Sequence, residues 1–314
     1  MRCLKPTGRR ELTLPQTNPN LRESFTRHDS AEDASVNWDQ SVNVGRLEAR
    51  YVRRKEDYLV VYLSSQTGCD QGCRMCHLTA TGQTSLRNVA ADEFLAQADV
   101  VLNYYRRSAP TARTVHFNFM ARGEALANQT LIDGADEVLG TLARRAAALN
   151  LRPRYLVSTI MPKQLGGRAL EDIFVTYHPE IYYSIYSTND DFRRRWLPKA
   201  MPVADALDRL QAWQRHSYKI CKLHYAFIEG ENDSEADVNA VCDAVEERKL
   251  MTHVNIVRYN SPDIQRRGTE SSESVIQRNA EIFRQRMPSA RVRVIQRVGF
   301  DVNASCGMFK TGDD

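Results

Sequence analysis

Three cysteines fall within eight residues, Cys69-Asp70-Gln71-Gly72-Cys73-Arg74-Met75-Cys76, and no other stretch constrains the chain as strongly. The stretch follows the apolar run Tyr58 to Leu63 and the turn-forming Ser64-Ser65-Gln66-Thr67-Gly68, so a strand feeds a loop of thiols. Three thiols this close resist ionising together unless a metal lies among them, and soft thiolates select zinc, copper or an iron–sulfur cluster. Structural zinc takes four ligands, normally as two separated pairs, and no second Cys or His pair at matching spacing follows. His77, directly after Cys76, is a cramped fourth ligand. Gly68 and Gly72 stand where the backbone must wrap closely around a bound group.

The chain has 314 residues, 42% of them hydrophobic, enough to bury one large core. Its seven cysteines, an odd number with three in one loop, do not read as a disulfide framework and point to a reducing cytoplasm. No apolar run is long enough to span a membrane, and the polar residues 1 to 20 do not form a secretory signal. A formal charge of +4 is compatible with a nucleic-acid partner without requiring one.

Residues 1 to 45, rich in Arg, Asn, Thr, Ser and Asp, read as an irregular or mobile arm, and 46 to 314 as the core domain. Runs at Arg46 to Val52 and Tyr58 to Leu63 flank a charged turn and predict a hairpin. Strands are expected at Thr114 to Met120, Arg154 to Ile160, Ile181 to Tyr186, Lys219 to Ile228 and Thr252 to Tyr259, with a short last run at Val292 to Val298. Helical periodicity falls between them, near 91–107, 129–149, 163–175, 203–216, 234–249 and 271–287. Six strands alternating with helices from Tyr58 onward imply an α/β fold, a partial (β/α)6 barrel of parallel strands. Sites in such barrels gather at the carboxyl ends of the strands. The cysteine loop, Gly123-Glu124, Ser158, Ser184 to Tyr186 and Asn260 all lie there.

The Cys-x3-Cys-x2-Cys spacing resembles the signature of the radical S-adenosylmethionine (SAM) superfamily. Within it the chain resembles the RlmN/Cfr-type rRNA adenine methyltransferases, from about Glu48 to the carboxyl end. Ser64-Ser65-Gln66-Thr67-Gly68-Cys69, Arg87-Asn88, Met120-Ala121-Arg122-Gly123-Glu124-Ala125, Val157-Ser158-Thr159, Ser184-Ile185-Tyr186-Ser187-Thr188-Asn189-Asp190, Tyr259-Asn260 and Asn303-Ala304-Ser305-Cys306-Gly307 are similar, in that order, to segments of the family.

The resemblance implies a 4Fe-4S cluster on Cys69, Cys73 and Cys76. It implies a SAM site in which Gly123 and Glu124 hold the methionine end and Ser158, Ser184 and Asn260 contact ribose or carboxylate, with Ile185 and Tyr186 in the same segment. It further implies that Cys306 is methylated by one SAM, that a second yields a 5′-deoxyadenosyl radical which activates this methyl group, and that Glu48 accepts a proton. The implied partners are nucleic acid, RNA ahead of DNA, and an electron donor such as flavodoxin or ferredoxin, for a monomer away from any membrane.

The chain departs from the pattern in two places. The family's second thiol, seven residues before the first cluster cysteine, is here Tyr62, and only about 45 residues precede the hairpin where the family carries an RNA-binding accessory domain. A phenol cannot release the product by forming a disulfide. Direct hydrogen abstraction from another substrate, such as a modified nucleotide or DNA base, is therefore the alternative reading. A nucleic-acid-binding module that performs no chemistry is a third. Arg193-Arg194-Arg195-Trp196 and Arg266-Arg267 are candidates to follow a phosphate backbone, with Trp196 or Tyr259 to stack a base.

Overall fold

The computed structural model describes residues 24–108 and 111–311. Ten strands form one open sheet in chain order: β1 (Thr26–Asp29), β2 (Val36–Ser41), β3 (Arg46–Lys55), β4 (Tyr58–Leu63), β5 (Thr114–Phe119), β6 (Arg152–Thr159), β7 (Glu180–Ser184), β8 (Cys221–Tyr225), β9 (Thr252–Ile256) and β10 (Val292–Val294). β1 to β4 pair antiparallel and β4 to β10 parallel, the parallel part curving into a partial barrel.

A side-chain period of two decides what each strand presents to which face. In β5, Val115, Phe117 and Phe119 pack outward, whereas Thr114, His116, Asn118 and the following Met120 line the lumen. The same parity sends Leu59, Val61 and Leu63 of β4 outward and turns Tyr58, Val60 and Tyr62 inward. The outward residues meet five helices, α1 (Ala91–Arg107), α2 (Gln129–Ala147), α3 (Val203–Ser217), α4 (Glu235–Glu247) and α5 (Glu273–Arg286), whereas the short helix Asp190–Trp196 packs Phe192 and Trp196 into a separate cluster with Ile160, Ala226 and Val257. Fully burying one such Phe or Val contributes about 1.5–3 kcal/mol, so this layer carries the fold. The helices start where short polar side chains satisfy free N–H groups: Asn128 accepts from Leu131 N at 2.9 Å and Asn189 from Asp191 N at 2.8 Å.

The segment 163–175, expected as one helix, is two short turns, Lys163–Leu165 and Leu170–Ile173, because Gly166 and Gly167 interrupt it and Gly166 takes a φ of +57°. The expected irregular arm differs too. Residues 26–41 carry β1 and β2, and Val36 and Trp38 alternate into the core, with Trp38 edge-on to Tyr104 at 5.4 Å. Asn37, Asp39 and the charged flanks mask this period-two pattern in the sequence. Residues 1–23 of that arm, Cys3 among them, lie outside the described residues. Among the described residues, no helix is long and apolar enough to cross a membrane.

Candidate active site

The lumen holds a cavity of about 910 Å3, reached by Cys73, Cys76, Cys306, Ser158, Ser184 and Tyr186. That volume lies in the range of small-molecule and cofactor sites. Burial, reinforced by Cys76, pushes the Cys69 thiol up to about 12. Burial together with Cys69 and Cys76 holds Cys73 well above the ordinary thiol value, and burial raises Cys76. Three mutually interacting, desolvated thiols ionise together only with metal among them. Among the described residues no three His, Cys, Asp or Glu side chains close on a point as a single metal ion needs. Soft thiolates are the donor type that iron–sulfur clusters take.

The loop is fixed by backbone contacts. Cys69 N donates to Gln83 O at 3.1 Å, and Arg74 N to Trp196 O at 2.9 Å. A Cβ at Gly68 would stand 2.3 Å from Ser85 O, so only glycine fits that crossing. His77 N donates to Gly307 O at 3.1 Å, which ties the cysteine loop to the segment bearing Cys306.

Glu124 is 6% exposed and follows Gly123, whose φ of +87° lets the chain turn against Gln66. Its carboxylate accepts from Leu126 N at 3.1 Å and Ile160 N at 3.0 Å. Burial still pushes it up to about 7, against the pull of Thr159, Ile160 and Leu126. No Lys or Arg pairs with it among the described residues, and neither it nor Gly123 lines the lumen cavity. Ser158 and Ser184 face the lumen from β6 and β7. Tyr186 faces it with φ +51°, a strained backbone for a bulky side chain, beside Cys306, Cys73 and Cys76.

Ile185 does not join them. Strand parity turns it outward into the core, and its carbonyl accepts from Arg193 Nη1 at 2.8 Å. Asn260 is also placed otherwise than expected. Its Nδ2 donates to Cys306 O at 2.8 Å and Ser305 Oγ at 3.2 Å, and its Oδ1 accepts from Arg297 Nε at 2.8 Å. It holds the cysteine segment and does not line the lumen.

Glu48 is likewise placed away from the lumen. It is 0% exposed, with Arg50 Nη2 and Arg122 Nε each at 2.8 Å and Lys310 N donating at 2.9 Å. Burial opposes its charge, but the two guanidiniums outweigh that and hold its pKa below the ordinary value. So paired, the carboxylate faces its partners and not the cavity. It anchors the C-terminal segment instead. Arg50 donates to the carbonyls of Ala304, Ser305 and Met308 at 3.0, 3.4 and 2.7 Å, and Arg122 to that of Lys310. Cys306 therefore stands on a buried ionic clamp. Cys306 is exposed into the cavity, where desolvation by the surrounding protein, with Cys76 nearby, pushes its thiol up to about 11 despite Arg50 and Arg54.

The clamp residues Arg50 and Arg122 were missed in the sequence, although charges alternating with Leu47, Ala49 and Tyr51 signal a strand face covered by something polar. Asn118 was missed too. It is 5% exposed on the lumen side of β5, and its Oδ1 has no hydrogen-bond partner among the described residues. Tyr62 lies next to it in register, beside Arg54 and Tyr182. Trp196 and Tyr259 are 0% and 4% exposed, and Arg193 is bonded to three carbonyls, so none of them is free to stack a base or follow a phosphate backbone.

The fold is similar to that of a solved radical SAM methyltransferase. Among solved structures, a radical SAM methyltransferase from Sphaerobacter thermophilus superposes with a TM-score of 0.73 at 22% identity, over 91% of this chain and 81% of that one. Among curated relatives, the ribosomal RNA large subunit methyltransferase Cfr of Clostridium botulinum is 29% identical over 274 residues, 83% of this chain and 72% of the relative. The dual-specificity RNA methyltransferase RlmN of Campylobacter fetus is 27% identical over 285 residues, 90% of this chain and 71% of the relative. No protein-family model matches the chain. Over most of its length the chain is thus similar to the Cfr and RlmN methyltransferases.

Proposed function

We propose that this enzyme methylates an adenine of ribosomal RNA through Cys306, working as a soluble protein of the reducing cytoplasm. The observation that supports it most directly is that Cys306 shares one cavity with Cys73 and Cys76 while its segment is clamped from below. In this reading Cys69, Cys73 and Cys76 hold three irons of the cluster. Glu124 accepts the ammonium of SAM, with Gly123 giving the backbone its close approach. Ser158 and Ser184 present hydroxyls to the ribose, and Tyr186 closes the lumen beside them. When bound, the cluster and SAM supply a carbon radical at the 5′ position of deoxyadenosine.

Cys306 Sγ presents the methyl group, and Arg50 with Asn260 keeps its backbone from drifting. Asn118, with its unused Oδ1 in the lumen, is suited to read the amino group of an adenine. Release of the product from Cys306 needs a step other than thiol attack from position 62. Cys221 and Cys242, at 0% and 2% exposure, are buried in the outer core away from the lumen. Direct hydrogen abstraction is the less favoured reading, since the relatives are named methyltransferases.

The test is methylation of rRNA fragments by reconstituted enzyme with SAM and reductant. Methyladenine from the wild type and none from Cys306→Ala is the expected result. Methyladenine formed equally by both would refute the role of Cys306.

A further inference from the structure

The cavity that holds Cys306 does not end beneath it. It runs the length of the barrel to Asp57, Thr114, Ile220 and Arg291, which stand at or directly before the first residues of β4, β5, β8 and β10. The interior of a parallel barrel is ordinarily filled by layers of branched apolar side chains. Here the inward positions include His116, Asn118, Tyr182, Lys222 and His224, so the lumen continues as a polar passage. Tyr218, 90% exposed, lines its lower end, and the passage opens to solvent there. At this floor mouth Glu180 is shared by Arg154 and Lys222. Lys219, Arg291 and Arg293 line the same mouth and form no ion pair among the described residues, which leaves it positive.

In the methyl-transfer reading, the carbon carried by Cys306 becomes bonded to the base while it is still bonded to Sγ. The product leaves only when that carbon–sulfur bond breaks, which takes a nucleophile on sulfur, and a thiolate is the side-chain chemistry suited to it. Position 62 offers a phenol to the lumen. Cys221 and Cys242 stand in the outer core behind the strands, and Cys73 and Cys76 belong to the loop that holds the cluster. Among the described residues no thiol remains for the step, while an open passage leads from solvent to Cys306.

We propose that a small, carboxylate-bearing thiol from solution enters through the floor mouth and releases the product from Cys306. The proposal rests on the methyltransferase reading above and names a co-substrate of the same site. The thiolate attacks Cys306 Sγ, the S–S bond forms, and the bond from Sγ to the methylene carbon breaks. The electron pair passes to that carbon, where the purine ring delocalises it until a proton from water completes the methyl group. Cys306 is left in a mixed disulfide. A second molecule of the thiol removes the first as a symmetric disulfide and returns Cys306 as a thiol, so two thiols are oxidised for each carbon reduced. The cations at the mouth raise the local concentration of an anionic thiol, an effect that salt screens.

The test uses the full chain with its cluster reconstituted and then freed of thiols, an rRNA fragment, SAM and dithionite, with glutathione as the probe. Without glutathione the RNA should stay joined to the peptide bearing Cys306. Adding it should release methyladenine and leave a glutathionylated Cys306 visible by mass analysis. In Arg291→Glu/Arg293→Glu, whose side chains are exposed, release by glutathione should slow about ten-fold, whereas release by uncharged mercaptoethanol should match the wild type. Calorimetry with unreactive S-methylglutathione should show binding to the wild type that the double variant loses. Release at the same rate without any added thiol would overturn the proposal, as would thiol-free release that Cys3→Ala abolishes, or an adduct that glutathione leaves intact. Equal slowing of both thiols in the double variant would overturn the charged route. If neither an adduct nor a methylated Cys306 ever forms, the methyltransferase reading fails, while S-methylglutathione binding, measured separately, still judges the mouth.

Discussion

Replacing Glu48 by Gln should loosen the segment that carries Cys306 before it disturbs any other part of the molecule. The substitution keeps shape and one carbonyl acceptor for Lys310 N but removes the charge shared by Arg50 and Arg122, whose side chains are 3% and 0% exposed. Two buried guanidiniums without a carboxylate are costly, and breaking such a network by removing one partner typically costs roughly 3–5 kcal/mol. At the lower end this is a large part of the 5–15 kcal/mol that holds a typical protein folded, and for a chain of this length it corresponds to a fall in Tm of about 5 °C. Thermal unfolding measures the global loss, and amide exchange at residues 302–311 measures the local one. The effect carries a pH signature. Because the folded state depresses the pKa of Glu48, its contribution is fully present above the unfolded value of 4.5 and is lost as pH falls through the lower folded value. The gap between wild type and Glu48→Gln should therefore hold from pH 7 to about pH 5 and narrow below 4.5. A variant within 1 kcal/mol of wild type at pH 7, with unchanged exchange at 302–311, would refute the clamp.

Gly123→Ala would place a Cβ 2.5 Å from Gln66 Cβ at a φ of +87°, so SAM affinity measured by calorimetry should fall ten-fold or more. In Gly68→Ala the new methyl meets backbone oxygens of Ser85 and Gln83 at 2.3 and 2.8 Å, and reconstituted protein should retain well under half of the wild-type iron by colorimetric assay. Cys221→Ala removes a thiol that is 0% exposed and far from the chemistry; it should lower stability by about 1 kcal/mol in urea titration and leave methylation unchanged.

Much of the barrel was legible because its lumen is polar. Parallel strands covered on both faces by apolar layers read as unbroken hydrophobic runs, but Thr114-Val115-His116-Phe117-Asn118-Phe119 alternates, and the alternation gives both the strand and its facing. The same parity places Ile185 opposite Ser184 and Tyr186, a distinction that the family segment taken as a unit does not draw. The thiol loop was legible as local spacing. Glu48 was not, because what seals it arrives from residue 310, 262 positions along the chain, and no local pattern encodes such a cover. Asn260 belongs with it: its position at a strand end suggested a ligand contact, whereas its amide is spent on Ser305, Cys306 and Arg297. The first strands were hidden by polar alternate residues, and the true period appears only in Val36 and Trp38.

One anaerobic incubation tests the central claim most directly: reconstituted protein, SAM and dithionite, followed by mass analysis of the small molecules and of the peptide bearing Cys306. Deoxyadenosine together with a methyl group on Cys306 is the predicted result. Deoxyadenosine with Cys306 unmodified, in protein supplied with SAM throughout, would contradict it and return the lumen to direct hydrogen abstraction.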